Sequence, residues 1–77
     1  SAEEKLLLQG VVDCCIEEAD GLVIIDYKTD RVENMHILYE RYSKQLELYR
    51  YAAQYLYDVT SVECIIYSFR LGEYISF

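Results

Sequence analysis

The chain of 77 residues contains no proline, no tryptophan, one methionine, one histidine and only three glycines. With so little proline and glycine, no stretch reads as a linker, and the length suits one domain at most. No run of about 18 apolar residues occurs, which argues against a membrane-spanning helix. The opening Ser1-Ala2-Glu3-Glu4-Lys5 is acidic and lacks the basic and apolar regions of a secretory signal, and Ser1-Ala2 reads as an expression remnant. Basic residues are scarce, with 7 Lys and Arg against 14 Asp and Glu and a net charge of −7. Phosphate contacts need clustered Lys and Arg, so a free-standing nucleic-acid binder is not expected.

Cysteine is also sparse. Cys14, Cys15 and Cys64 form an odd set, and the first two are neighbours. Adjacent strand residues point to opposite faces, so Cys14 and Cys15 are not placed to bond each other or share a metal. They read as packed thiols in apolar strands, in a reducing, cytoplasmic compartment.

What the chain does have is apolar character, 53% of its residues. A chain this short buries only about 60% of its unfolded surface and is marginally stable on its own. Leu6 to Glu17 and Leu22 to Thr29 are apolar, β-branched runs around Glu18-Ala19-Asp20-Gly21, which reads as a β-hairpin over 6–29. Both runs are apolar on both faces, as in strands covered twice. After a polar connection at Asp30 to Asn34, the spacing turns helical from about Met35 to Asp58. Met35, Leu38, Tyr42, Leu46, Tyr49, Ala52, Ala53 and Leu56 form one stripe, with Glu40, Lys44, Glu47 and Gln54 roughly opposite. Strands are expected at about 62–70 and 74–77, with a turn at Leu71-Gly72-Glu73. The order is β-β-α-β-β. One helix covers only one face of such a sheet, so a bare apolar face is expected. That points to a fragment of a larger domain, a self-associating form, or both.

Chemistry concentrates in three patches. Asp26 and Lys28, two apart on a strand, share a face, while Tyr27 points the other way. A four-residue hairpin loop pairs Glu17 with Leu22 and Asp13 with Asp26; a two-residue loop pairs Asp13 with Lys28. Either register puts Asp13 on the face of Asp26 and Lys28, and only a three-residue loop breaks the arrangement. Carboxylates on paired strands lie ~5 Å apart at Cβ and repel unless a cation sits between them. Oxygen ligands of this kind suit Mg²⁺ or Mn²⁺, with the Tyr27 carbonyl as a further ligand. Lys28 beside them is placed to orient a water or to offset charge building on phosphorus. Asp26 and Lys28 alone could be a surface ion pair. Asp13, however, falls inside an apolar strand, where an unpaired carboxylate is costly. Gln45 lies in the apolar stripe of the helix between Tyr42 and Tyr49, where a buried amide needs partners.

Gly10-Val11-Val12-Asp13, Asp26-Tyr27-Lys28-Thr29 and the helix from Gln45 to Tyr49 resemble, in order and spacing, the G-x-x-D, D-Y-K-T and Q-x-x-x-Y motifs of the RecB-like branch of the PD-(D/E)XK nuclease superfamily. Leu8-Gln9-Gly10, Ile25 to Asp30 and Ser68 to Glu73 extend the likeness over nearly the whole chain. The pattern is similar to the C-terminal nuclease domain of bacterial ATP-dependent helicase–nucleases. The resemblance implies an α/β (α+β) fold with a restriction-endonuclease-like core, a central mixed sheet and one long helix, truncated relative to the family. It implies that Asp13 and Asp26 hold Mg²⁺ or Mn²⁺, that Lys28 is catalytic, and that Gln45 and Tyr49 support the site or the DNA. It further implies DNA as substrate, a partner subunit in the parent protein and a role in double-strand-break repair and recombination. The family's helix before the first core strand, often the source of another ligand, lies upstream of this chain. His36 follows the motifs and reads as a helix-start surface residue. There is no Walker A sequence, and the cysteines do not match an iron–sulfur staple.

The leading expectation is the core of a metal-dependent DNA exonuclease domain, weak or inactive as an isolated fragment. The alternative is a catalytically silent nuclease-like module that docks DNA or another subunit of its assembly. A third reading is a structural domain whose nine tyrosines form an aromatic interface.

Overall fold

The computed structural model describes Glu3 and residues 10–77. Among the described residues, four strands and one long helix follow in the order β1 (Cys14–Glu17), β2 (Gly21–Lys28), α1 (Met35–Tyr57), β3 (Ser61–Ser68) and β4 (Glu73–Ser76). They form one mixed sheet of order β1-β2-β3-β4, an α+β arrangement consistent with a truncated restriction-endonuclease-like core. The outer pairs are antiparallel and the central pair β2–β3 is parallel. A parallel pair needs a long crossover, and α1 supplies it.

The hairpin turns tightly, with the Glu18 N–H donating to the Gly21 carbonyl at 2.9 Å. Glu17 faces Leu22 and Cys14 faces Ile25, the register of a four-residue loop. Strand β1 is shorter than the apolar run suggested. Gly10 and Val11 are helical and Val12-Asp13 is a bend, so Asp13 precedes the strand and is exposed. The expected strand residues Leu6 to Gln9 lie outside the described residues. The strand starts late for a local reason: the Asp13 carboxylate takes the Tyr27 N–H at 2.8 Å, the donor that another residue of ladder would have used.

Helix α1 starts where Asn34, in an extended conformation, accepts the Ile37 N–H through its side chain at 3.2 Å. It ends at Asp58, which adopts the left-handed conformation (φ 52°), one that Asp tolerates better than most residues. Its buried side chains Leu38, Leu46 and Ala53 meet Leu22 and Ile24 of β2 and Val62, Cys64 and Ile66 of β3. Burying each large aliphatic side chain contributes ~1.5–3 kcal/mol. The half-buried Arg50 guanidinium fastens the helix to the far edge, donating to the Val62 carbonyl at 3.1 Å and to the Phe77 carbonyl.

The opposite face of the sheet is apolar too. Val23, Ile25, Ile65 and Tyr67 are half-buried there, while Ile16, Tyr27 and Tyr74 are exposed. Phe69, just past the end of β3, stacks on the Tyr27 ring at 5.4 Å between centroids. Nothing among the described residues selects a second copy of this chain as its cover, so self-association does not follow from that face.

Gly21 shows how closely β2 and β3 approach at their start. A Cβ built there stands 2.8 Å from the Ser61 carbonyl oxygen, a backbone atom that cannot swing aside. Gly21→Ala is therefore expected to cost about 1–3 kcal/mol, as overpacking does, read as a lower urea midpoint at unchanged slope. An unchanged midpoint would show that the two strands separate freely at this end.

Candidate active site

Strand β2 runs from a fully apolar start to a charged end, and the charge lies on the face beneath the helix. Asp26 is 9% exposed, next to Ile66 in the parallel register, and Lys28 is next to the buried Ser68. The Lys28 Nζ stands 2.9 Å from Asp26 Oδ2. Asp13 reaches in from the bend before β1, anchored by the Tyr27 N–H, with its carboxylate close enough to that of Asp26 for each to shift the other's proton affinity. Asp13, Asp26 and Lys28 thus meet at one end of the sheet.

Their proton affinities are displaced in different directions. Burial pushes the Asp26 carboxyl up; the Lys28 ammonium opposes this in part and the Asp13 carboxylate adds to it. Asp13 is held below the usual carboxylate range, chiefly by the Tyr27 N–H and then by Asp26. Burial works against the charge on Lys28, yet the Asp26 carboxylate outweighs it and raises the ammonium above its ordinary value. Two neighbouring carboxyls, one reluctant to ionise and one eager, form a pair that a cation would relieve.

The donor set fits a hard divalent ion in kind. It offers carboxylate oxygens from two elements, one of them on an exposed residue. It is short in number, since no group of three or more His, Cys, Asp or Glu able to hold a metal occurs among the described residues. Tyr27 is tied to the site through its N–H, while its ring lies on the opposite sheet face, 6.1 Å from the Tyr67 ring between centroids.

The helix residues separate. Tyr49 is half-buried and packs against the core. Gln45 is exposed and makes no part of the cluster, contrary to its expected burial in the stripe. Where α1 lies over the sheet, the side chain that meets it is the fully buried Leu46. Gln45 is turned about 100° away from Leu46 around the helix. His36 stays at the surface, 3.3 Å from Glu40 one turn on. Cys14 and Cys15 are half-buried and Cys64 is buried, all as free thiols. Burial raises the thiols of Cys15 and Cys64 above their ordinary range, which disfavours the nucleophilic thiolate.

Two neighbours of the site escape the motif reading. The Tyr42 ring lies under the Lys28 ammonium, 3.9 Å from Nζ to the centroid. Its hydroxyl donates to Asp30 Oδ2 at 2.7 Å, and Arg41 donates to the same oxygen at 3.0 Å. Tyr42 is legible in the sequence only as one more member of the apolar stripe. Asp30, two residues past Lys28, is legible only as the start of a polar connection.

A family model of the PD-(D/E)XK nuclease superfamily matches residues 2–72. The chain is 44% identical over 73 residues to the A subunit of the ATP-dependent helicase/nuclease of Lachnoclostridium phytofermentans, covering 92% of this chain and 5% of that protein. It is 44% identical over 79 residues to the protein of the same name from Geobacillus thermodenitrificans, covering 91% of this chain and 6% of that one. With the Clostridium botulinum strain Hall protein, identity is 40% over 73 residues, covering 95% and 6% respectively. The chain therefore spans only about a twentieth of the length of these relatives.

Proposed function

Because this chain belongs to the PD-(D/E)XK nuclease superfamily, we propose that it is the metal-binding core of a DNA exonuclease, with Asp13 and Asp26 holding Mg²⁺ or Mn²⁺ and Lys28 orienting the attacking water or stabilising the charge that builds on phosphorus. The single observation that carries this is the meeting at one end of β2 of Asp26, Lys28, its Nζ 2.9 Å from Asp26, and Asp13, held 2.8 Å from the neighbouring Tyr27 N–H. When bound, the ion supplies a polarised phosphoryl oxygen and a water of lowered pKa. The chain's own part is to bind and to orient. Asp13, locked on the Tyr27 N–H, presents a carboxylate held below the usual carboxylate range. Lys28, kept protonated by Asp26, sets a positive charge where negative charge grows on the phosphate. The Tyr27 carbonyl is a further proposed ligand, and Tyr49 supports the helix above the site. Gln45, being exposed, is proposed to act on the DNA strand rather than to line the site.

The relatives' name extends the proposal. In a polypeptide of the AddA type, this core would trim DNA ends unwound by the helicase, beside an AddB-like subunit, in double-strand-break repair in the bacterial cytoplasm. The net charge of −7 fits this division, with the strand delivered by other parts of the assembly.

Calorimetric titration with Mn²⁺ tests the reading. The chain is expected to bind one ion, and Asp13→Asn to weaken binding by about tenfold or more. No heat from the parent chain would leave the alternative, a silent docking module, in possession.

A further inference from the structure

Lysine is a poor choice for a fixed charge unless something fixes it, because four flexible bonds separate its ammonium from the backbone. In this chain two elements hold the Lys28 ammonium. From its own strand, Asp26 Oδ2 lies 2.9 Å away. From the helix, the face of the Tyr42 ring lies 3.9 Å away. The ring is itself pinned, since its hydroxyl donates to Asp30 Oδ2 at 2.7 Å on the connection leading out of β2. Arg41 on the adjacent helix position holds the same oxygen at 3.0 Å.

We propose that Tyr42, anchored by Asp30, is a positioning residue that sets where the Lys28 ammonium stands during phosphodiester cleavage. A ring face attracts a cation and is indifferent to its rotation. It therefore fixes distance from the helix without competing with Asp26 for the ammonium's hydrogens. Tyrosine is used where phenylalanine would fill the same space because the hydroxyl ties the ring to Asp30 and stops it rocking. The anchor is durable. The Tyr42 hydroxyl, then Arg41, holds the Asp30 carboxyl below its usual range, and Asp30 raises the phenol above its own. Acceptor and donor both persist around neutral pH. The chain Lys28–Tyr42–Asp30–Arg41 also couples the end of β2 to the first turns of α1.

The proposal rests on reading Lys28 as a site residue, and its test separates the two ideas. In the metal-free 77-residue chain, the Lys28 Cε methylene protons are expected upfield of other lysines from the ring current of Tyr42. Tyr42→Leu should return them to the ordinary position, and Tyr42→Phe, whose ring is no longer tied to Asp30, should keep only part of the shift. In the full polypeptide, cleavage of a single-stranded oligonucleotide with Mg²⁺ is read as separate kcat and KM. Tyr42→Leu is expected to lower kcat about tenfold to a hundredfold at unchanged KM, the scale of a small misplacement of a reacting group. Tyr42→Phe, which keeps the ring but loses its tie to Asp30, and Asp30→Asn, which weakens that tie, should both fall between the parent and Tyr42→Leu. Unshifted Lys28 protons in the parent chain, or an unchanged kcat in Tyr42→Leu, would overturn the role of Tyr42. If Asp26→Asn also cleaves normally, the nuclease reading itself fails; if only the Tyr42 variants do, it stands without this refinement.

Discussion

Asp26→Asn is expected to cut DNA cleavage by the full polypeptide about 10²–10³-fold, with Lys28→Gln close behind, the cost of removing a charge aimed at the reaction. The substitution is close to isosteric, and the Asn carbonyl can still accept from the Lys28 ammonium 2.9 Å away. It changes charge with little change of shape. Burial already disfavours the ionised form of Asp26, so a neutral amide at that place is tolerated by the fold. The metal-free melting temperature should therefore move little while activity collapses. That dissociation is the diagnostic feature, since a general folding defect would lower both together. Measured rates within a few-fold of the parent would remove Asp26 from the chemistry.

Ile66→Ala should give the largest loss of stability. Ile66 is 0% exposed in the second half of β3, beside Asp26 in the register and on the face beneath the helix. Truncations of this kind cost ~2–5 kcal/mol, because the cavity collapses only in part. A chain of this size has roughly 4–12 kcal/mol in total at typical per-residue stability. The variant is therefore expected to lose a large share of its cooperative unfolding transition. The melt should shift down by about 4–8 °C for each kcal/mol lost. A shift of only a degree or two would mean that the sheet and helix are not packed as one unit there.

Much of this architecture is legible in the residues. The helix from Met35 shows itself in a period of 3.6, and the structure places it at Met35–Tyr57. The hairpin is marked by Asp20-Gly21, and of the two registers the sequence leaves open the structure takes that of the four-residue loop. The first strand is shorter than its apolar run because such a run carries no mark of where a side chain will replace the backbone ladder. At Asp13 it does, and the strand begins after it. Gln45 departs from its expected burial because a helical stripe gives an arc and not its edges. The edge depends on where the sheet lies beneath the helix, which is a tertiary fact. Tyr42 and Asp30 stay hidden in the sequence for the opposite reason. Each is ordinary in its local pattern, and only their meeting across twelve positions of sequence gives them significance.

The bond from the Tyr27 N–H to the Asp13 carboxylate has a consequence for solubility. Strand β1 stops short of the end of β2, which would otherwise offer an outward-facing amide to any passing extended peptide. By occupying that amide with a charged side chain, the protein blunts a sticky border of its sheet with the same atoms it commits to its proposed ion site.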